Sequence, residues 1–185
     1  ITRTCPACDG TRLGERVRST LIDGMDLGEA SRLTLTELRE WVQRVPGLVP
    51  EEVAPMAHVI VDEMTEPMQR LVELGLSYLS LDRASSTLSN GERQRVQLAR
   101  AVRNQTTGVL YVLDEPTIGL HPANVDGVLA IIRQLIADGN SVVVVDHDTR
   151  VLAAADHLIE IGPGAGADGG RVIFQGPINE ASHAP

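Results

Sequence analysis

Two short apolar runs joined through a helical segment most constrain the fold of this chain. Residues 109–113 and 141–145 are almost wholly apolar, and the apolar spacing of residues 124–137 between them predicts a helix. Continuous runs of this kind are typical of parallel strands covered on both faces, and parallel strands need such a crossover connection. The sequence therefore predicts an α/β lobe with a parallel sheet and flanking helices, followed by a hairpin of residues 157–161 and 171–174.

Acidic residues and a histidine follow these two runs. Asp114 and Glu115 close the first run, and His147 comes two residues after the second. Open α/β sheets bind ligands at the carboxyl ends of their strands. We therefore expect Asp114 to hold Mg²⁺, Glu115 to orient or deprotonate an attacking water, and His147 to hydrogen-bond a terminal phosphate. Ordinary solvated turns are the alternative.

A second candidate phosphate site lies at residues 88–92. Ser89 and Glu92 have the spacing of a capping box, which predicts a helix from Ser89 to about Arg103. Free helix amides, the serine hydroxyl and the missing β-carbon of Gly91 suit a phosphate. An ordinary capped helix start explains the serine and the glutamate equally well. The phosphate interpretation makes Ser89, Asn90, Gly91 and Glu92 nucleotide-binding residues.

Composition limits what the chain can do by itself. All 16 basic residues are arginine, so the lysine of the phosphate-binding loop G-x-x-x-x-G-K-[ST] is missing. We expect the chain alone to bind ATP weakly and to hydrolyse none. The net charge of −9 makes it a poor isolated DNA binder. The two cysteines do not make a secreted disulfide framework, which favours a reducing cytoplasm, and no signal peptide or membrane-spanning run is present. The missing initiator methionine predicts a piece of a longer protein.

Cys5 and Cys8 form a C-x-x-C pair within a turn-rich knuckle. Such a pair fits one edge of a tetrahedral zinc site whose other ligands would lie outside this chain. A turn without metal and a redox pair are the alternatives.

We predict three regions along the chain. Residues 1–17 form the knuckle, residues 18–86 a mostly helical insertion, and residues 87–185 the α/β part. Within the insertion, Thr34 and Glu37 form a predicted capping box. A longer helix over about residues 51–74 has core-filling methionines and a proline, Pro67, that is expected to kink or divide it.

These motifs together resemble the UvrA family, the ABC-type ATPases of the bacterial excinuclease. The resemblance rests on six segments, which are residues 5–13, 75–83, 87–95, 111–121, 145–148 and 161–170. It implies that residues 89–92 are the ABC signature, which clasps ATP bound on the opposite ATPase domain. It further implies that Asp114 and Glu115 are the Walker B pair, residues 117–121 the D-loop and His147 the switch histidine.

The resemblance also implies cofactors and partners for the complete protein. ATP and Mg²⁺ are expected, and the cysteine pair resembles the latter half of a zinc module. UvrA proteins carry two ATPase domains in one chain, form homodimers, recognise damaged DNA in nucleotide excision repair and pass the site to a helicase partner. This piece resembles the end of the first ATPase domain with its helical signature insertion, and no membrane is implied.

Departures from the family pattern keep a second function open. Asn90 and Asp146 stand where glycine and glutamate are usual, and residues 101–105 and 122–126 also differ. These features resemble a UvrA-like subgroup that protects antibiotic producers against a DNA-binding drug. A transporter nucleotide-binding domain is a third hypothesis, which the C-x-x-C pair disfavours.

Overall fold

The computed structural model describes residues 4–103, 106–162 and 169–183. The chain forms two compact units that divide between Thr107 and Gly108. Residues 104–105 of the departing run and residues 163–168 of the last family segment lie outside the described part.

The first unit is helical. Its helices are α1 (Glu15–Arg18), α2 (Leu27–Arg32), α3 (Leu35–Arg44), α4 (Ala54–Glu73) and α5 (Asn90–Arg103), with 3₁₀ turns at Val45–Gly47 and Ser85–Thr87. The predicted capping box is present at the start of α3, because Thr34 accepts a hydrogen bond from the Glu37 amide and Glu37 bonds back to the Thr34 amide. Within the described residues, no helix is both long and apolar enough to cross a bilayer.

Helices α3 and α4 pack together in this unit, and the segment after α4 completes its core. Leu35, Leu38 and Val42 are buried on α3, and Leu74, Leu76 and Leu79 follow α4.

Helix α4 agrees with its prediction only in part. It runs undivided through Pro67, so of the two predicted effects of this proline the division is absent and the kink stays a prediction. Core filling was also the expectation for its methionines, which holds for Met68 but not for Met56, 68% exposed. Val59 and Ile60 are exposed beside it. The apolar spacing indicated a helix correctly, but it could not indicate which apolar side chains have a neighbour to pack against.

The second unit contains the predicted strands, whereas the predicted α/β part begins earlier, at residue 87, and so includes α5 of the first unit. The elements of the second unit are β1 (Leu110–Asp114), α6 (Pro122–Ala137), β2 (Ser141–Val145), α7 (Thr149–Ala153), β3 (His157–Gly162) and β4 (Arg171–Pro177), followed by a 3₁₀ turn at Ile178–His183. β1 and β2 pair in parallel, with Leu110 opposite Ser141 and Asp114 opposite Val145. β3 and β4 pair antiparallel. The parallel pair and the hairpin are both confirmed.

Helix α6 covers one face of the parallel pair. Val125, Val128 and Leu135 of α6 are almost fully buried, and Val125 and Leu129 form a cluster with Val151 of α7. Each side chain buried in this way stabilises the fold by roughly 1.5–3 kcal/mol relative to its exposed state.

The other face of the strands is open in the described residues, which corrects the expectation of strands covered on both faces. Val112 of β1 is 65% exposed and Val145 of β2 is 56% exposed, with Leu110 and Val143 exposed in the same alternation. A strand pair gains a second covered face only from a second layer of structure, and within the second unit α6 packs against one face.

Candidate functional site

The carboxyl ends of β1 and β2 lie side by side. Because the strands are parallel and Asp114 pairs with Val145, both chains leave the sheet at the same edge. Asp114 is exposed at this edge, Glu115 follows it, and His147 lies two residues beyond β2. Three of the side chains singled out in the sequence are thus brought to one edge of the second unit.

Glu115 and His147 face each other at this edge. His147 Nδ1 lies 4.0 Å from Glu115 Oε1, and the two side chains are 78% and 47% exposed, respectively. A carboxylate and an imidazole in this arrangement can orient a water molecule and donate to an anionic oxygen. Their exposure leaves room for a ligand to approach both.

The backbone at Glu115 adopts a left-handed conformation, with φ at 48°. Such a conformation costs a residue with a β-carbon roughly 1–3 kcal/mol and persists where the surrounding structure imposes it. Here the Glu115 amide donates to the Val145 carbonyl at 2.7 Å, and the Glu115 carbonyl accepts from the Ile118 amide at 3.1 Å. These bonds turn the chain sharply after β1 and fix where the carboxylate leaves the sheet.

Asp146 is a site residue that the sequence analysis noted only as a departure from the family. Its side chain is fully buried, although it follows an exposed strand end. The carboxylate accepts from the amides of Thr117 (3.2 Å), His147 (2.7 Å) and Asp148 (2.9 Å), and from the Thr117 hydroxyl. Aspartate side chains in turns often accept from the backbone amide two residues ahead. An aspartate directly after a predicted strand is therefore the signal that was available in the sequence.

The hydrogen bonds to Asp146 keep it ionised. Burial alone raises the pKa of this carboxyl, but the bonds from the Asp148 amide, the Thr117 hydroxyl and the other two amides together hold the pKa below its ordinary value. Asp146 is therefore a buried anion, and most of the acceptor positions of its two oxygens are filled by donors from the two neighbouring turns.

The predicted D-loop, residues 117–121, leads from this edge into α6. Leu120 donates to the Thr117 carbonyl at 3.0 Å, and Gly119 has a positive φ of 69°, which glycine adopts at little cost. His121 caps α6 by accepting from the Ala123 amide on Nδ1 at 3.2 Å. His121 is therefore occupied as a helix cap.

The predicted signature forms the start of α5 in the first unit. Ser89 Oγ accepts from the Glu92 amide at 3.2 Å, and the Ser89 amide donates to Glu92 Oε2 at 2.6 Å. Ser89 and Asn90 are exposed, so the helix start is open to solvent. The capping box is present, and the predicted nucleotide contacts of residues 89–92 stay predictions.

Glu92 has a second set of partners that the sequence analysis missed. Its carboxylate, in a residue only 6% exposed, accepts from the Tyr78 hydroxyl at 2.6 Å and lies 3.4 Å from Arg83 Nη1. The bonds from Tyr78 and from Ser89 hold the pKa of Glu92 at about 2. Glu92 is thus an ionised internal anchor that fixes the turn before α5 to the segment after α4.

Cys5 and Cys8 lie in a tight turn, as expected. Thr11 closes this turn by donating its amide and hydroxyl to the Cys8 carbonyl, at 2.9 and 2.6 Å. Hydrogen bonds from Ala7 and Cys8 lower the pKa of the exposed Cys5 thiol, which favours the thiolate that metals bind. Across the described part of the chain, no group of three or more His, Cys, Asp or Glu side chains is placed to hold a metal ion.

Known proteins resemble this chain along its whole length. The ABC transporter family matches residues 16–118. UvrABC system protein A of Thermus thermophilus is 43% identical over 183 residues, which cover 99% of this chain and 19% of that protein. The same protein of Bacillus subtilis is 39% identical over 183 residues, with the same two shares.

A solved structure matches equally well. The crystal structure of UvrA2 from Deinococcus radiodurans superimposes with a TM-score of 0.87 and 37% identity, covering 100% of this chain and 24% of that one. The chain therefore spans about a fifth of the length of the curated relatives that it matches. The ABC match covers more than half of the residues of this chain, and the proteins that match it from end to end are UvrA proteins. The chain therefore belongs to the ABC transporter family, in its UvrA group.

Proposed function

We propose that this chain supplies the signature, Walker B and switch residues of a UvrA-type ABC ATPase. The observation that carries the proposal is the 4.0 Å approach of Glu115 and His147 at the edge where Asp114 ends β1. In this proposal Glu115 orients the attacking water and accepts its proton, and His147 donates a hydrogen bond to the terminal phosphate.

Asp114 suits Mg²⁺ because this ion is usually held by one or two carboxylates together with substrate phosphates. Asp114 is exposed at the end of β1, beside Glu115. A bound Mg²⁺ would neutralise charge on the phosphates. Asp114 is then the magnesium ligand of the site, next to the residue that orients water.

The start of α5 serves ATP bound on the opposite ATPase domain. The Ser89 hydroxyl and the Asn90 side chain, both on exposed residues, offer donors to a phosphate, and Gly91 lets the backbone come close. Glu92 supports this surface from within through its bonds to Ser89 and Tyr78. The roles of residues 89–92 therefore divide into three that face the nucleotide and one that holds them.

Cys5 and Cys8 provide two ligands of a zinc site. The tight turn and the lowered pKa of Cys5 fit thiolate ligation, and tetrahedral zinc requires two more ligands. These ligands would come from a part of the protein outside this chain.

In the complete protein this ATPase recognises damaged DNA in nucleotide excision repair in the cytoplasm. It acts as a homodimer with a second ATPase domain in each chain and hands the lesion to the helicase component of the excinuclease. Support comes from relatives named for the UvrABC system. Asn90, in the exposed turn at the start of α5, favours a second candidate, protection against a DNA-binding drug.

The test is ATP hydrolysis by the complete protein and its Glu115→Gln variant. We expect the variant to bind ATP with nearly unchanged affinity but to lose turnover about 100-fold or more, because the amide cannot accept a proton. Glu160→Gln, an exposed carboxylate change on β3, is the matched control and should retain activity.

The purified 185-residue chain is the second sample in this test. It has no lysine to bind phosphates, so we expect no turnover from it. Unchanged ATP hydrolysis by Glu115→Gln would show that Glu115 does not accept the proton of the attacking water. ATP turnover by the isolated chain would contradict the proposal that the phosphate-binding lysine lies outside it.

A further inference from the structure

The turns that follow β1 and β2 are joined to each other at two places. The first is Asp146, whose buried carboxylate takes the amide and hydroxyl of Thr117 from the β1 turn and the amides of His147 and Asp148 from its own. Thr117 is itself only 7% exposed. Both side chains of this joint are therefore largely removed from solvent.

The second place is Arg150. Its guanidinium is held by Asp148 at 2.8 Å and donates to the Pro122 carbonyl, at the start of α6, at 2.6 Å. The segment from Thr117 to Pro122 is therefore tied at both ends to the segment from Asp146 to Arg150. A displacement of either turn has to displace the other or break these hydrogen bonds.

Glu115 and His147 sit just outside this double joint, on opposite turns. Glu115 is two residues before Thr117, in a left-handed conformation that its own bonds impose. His147 is directly after Asp146, and its Nδ1 lies 3.9 Å from Asp146 Oδ1. The spacing between the two exposed side chains thus depends on the bonds between the turns, together with the bond from the Glu115 amide to the Val145 carbonyl.

We propose that Asp146 is a positioning residue that, through Thr117, makes the Glu115 and His147 turns move as one body during ATP hydrolysis. The inference rests on the proposed function and adds to it a residue that need not touch the nucleotide. The lowered pKa of Asp146 is consistent with this positioning role. An ionised carboxylate has two oxygen atoms that can accept hydrogen bonds from both turns at once.

The chemistry of the joint allows variants of unchanged shape. In Asp146→Asn, one acceptor oxygen becomes an NH₂ group, which must face either the Thr117 amide or the amides of His147 and Asp148, so that two donors meet. Thr117→Val removes the hydroxyl that bonds both oxygens, and Thr117→Ser keeps it.

The experiment measures kcat, KM and ATP affinity of the complete protein with each variant. We expect Asp146→Asn and Thr117→Val to lower kcat about 10- to 100-fold, since misplaced catalytic groups lose rate on this scale, with KM and affinity within about twofold of the parent. Thr117→Ser should retain kcat. The double variant should be no slower than the slower single variant, because both remove the same connection.

A readout independent of ATP turnover comes from amide hydrogen exchange of peptides covering residues 115–121 and 146–150. We expect Asp146→Asn to speed exchange in both peptides together. A parent protein that does not hydrolyse ATP would contradict the proposed function. The hydrogen-exchange measurement would still show whether the two turns are joined. Three results would each overturn the inference. They are an unchanged kcat in Asp146→Asn, a loss of kcat in the double variant equal to the product of the two single losses, and faster exchange in only one of the two peptides. A lower melting temperature of the variant would not change this reading.

Discussion

Glu92 shows at the scale of one residue how burial and charge cooperate. It follows the exposed Ser89 by three residues, yet its side chain lies inside the unit and is ionised. The hydrogen bond from Tyr78 is the largest cause of its low pKa, and the bond from the Ser89 amide is the next. Since both donors stabilise the charged form, the folded state favours ionised Glu92 more than the unfolded chain does.

This preference predicts how stability depends on pH. The pKa of Glu92 falls from about 4.5 to about 2 on folding, so its contribution is complete above about pH 5 and is lost as the pH falls toward 2. Glu92→Gln should be less stable than the parent chain at neutral pH, and the gap should narrow between about pH 4.5 and 2. Urea unfolding across this range measures it.

A tyrosine variant separates this effect from general damage. Tyr78→Phe removes the donor at 2.6 Å and should raise the pKa of Glu92, at a cost to stability of about 1 kcal/mol. Tyr111→Phe changes the other tyrosine of the chain, in β1, and should leave the Glu92 titration in place. A stability gap of constant size down to pH 2 would contradict the assignment.

At the scale of elements, the helix starts were the most readable features. The Thr34–Glu37 and Ser89–Glu92 boxes are local patterns, because a cap and its partner are three residues apart and need no tertiary contact. The effect of Pro67 was less readable, since α4 continues undivided through a proline that was expected to kink or divide it. The packing of α4 against α3 and α5 supplies contacts that a proline by itself does not abolish.

The cap of α3 gives a prediction at this scale. Thr34→Ala removes the oxygen that accepts from the Glu37 amide at 3.3 Å, and we expect a loss of about 1 kcal/mol in the free energy of unfolding. Thr34→Ser should stay near the parent value. Thr36→Ala deletes the same atoms two residues further on and is the control, so an equal loss there would indicate helix damage instead of a lost cap.

At the scale of the whole molecule, the open face of β1 and β2 matters most. Exposed side chains alternate with buried or half-buried ones along both strands, which shows a sheet with one covered face. The chain spans about a fifth of the length of its relatives. We therefore expect the activity of such a piece to depend on residues outside it, above all on the lysine missing from its composition.

The biological role is therefore tested with the complete gene. In a strain that lacks its UvrA, we expect this gene to restore survival after ultraviolet irradiation, while the Glu115→Gln gene does not. A DNA-binding drug is applied to the same strains in parallel. Protection against the drug without any gain in ultraviolet survival would favour the second candidate function over repair.

The sequence by itself determined the strand–helix–strand order and which residues stand at the strand ends. Both are local, because apolar periodicity and chain position fix an element and its last residue. Whether Asp114, Glu115 and His147 serve nucleotide in the proposed roles is still a prediction.

Tertiary structure alone decided the bond of Asp146 to Thr117, the bond of Glu92 to Tyr78 and the open face of the sheet. Asp146 bonds Thr117 across 29 residues, and Glu92 bonds Tyr78 across 14. Such pairs form only when folding brings distant backbone together, and no period or spacing records them. Burial likewise depends on which neighbour covers a side chain, which an apolar letter in the sequence does not specify.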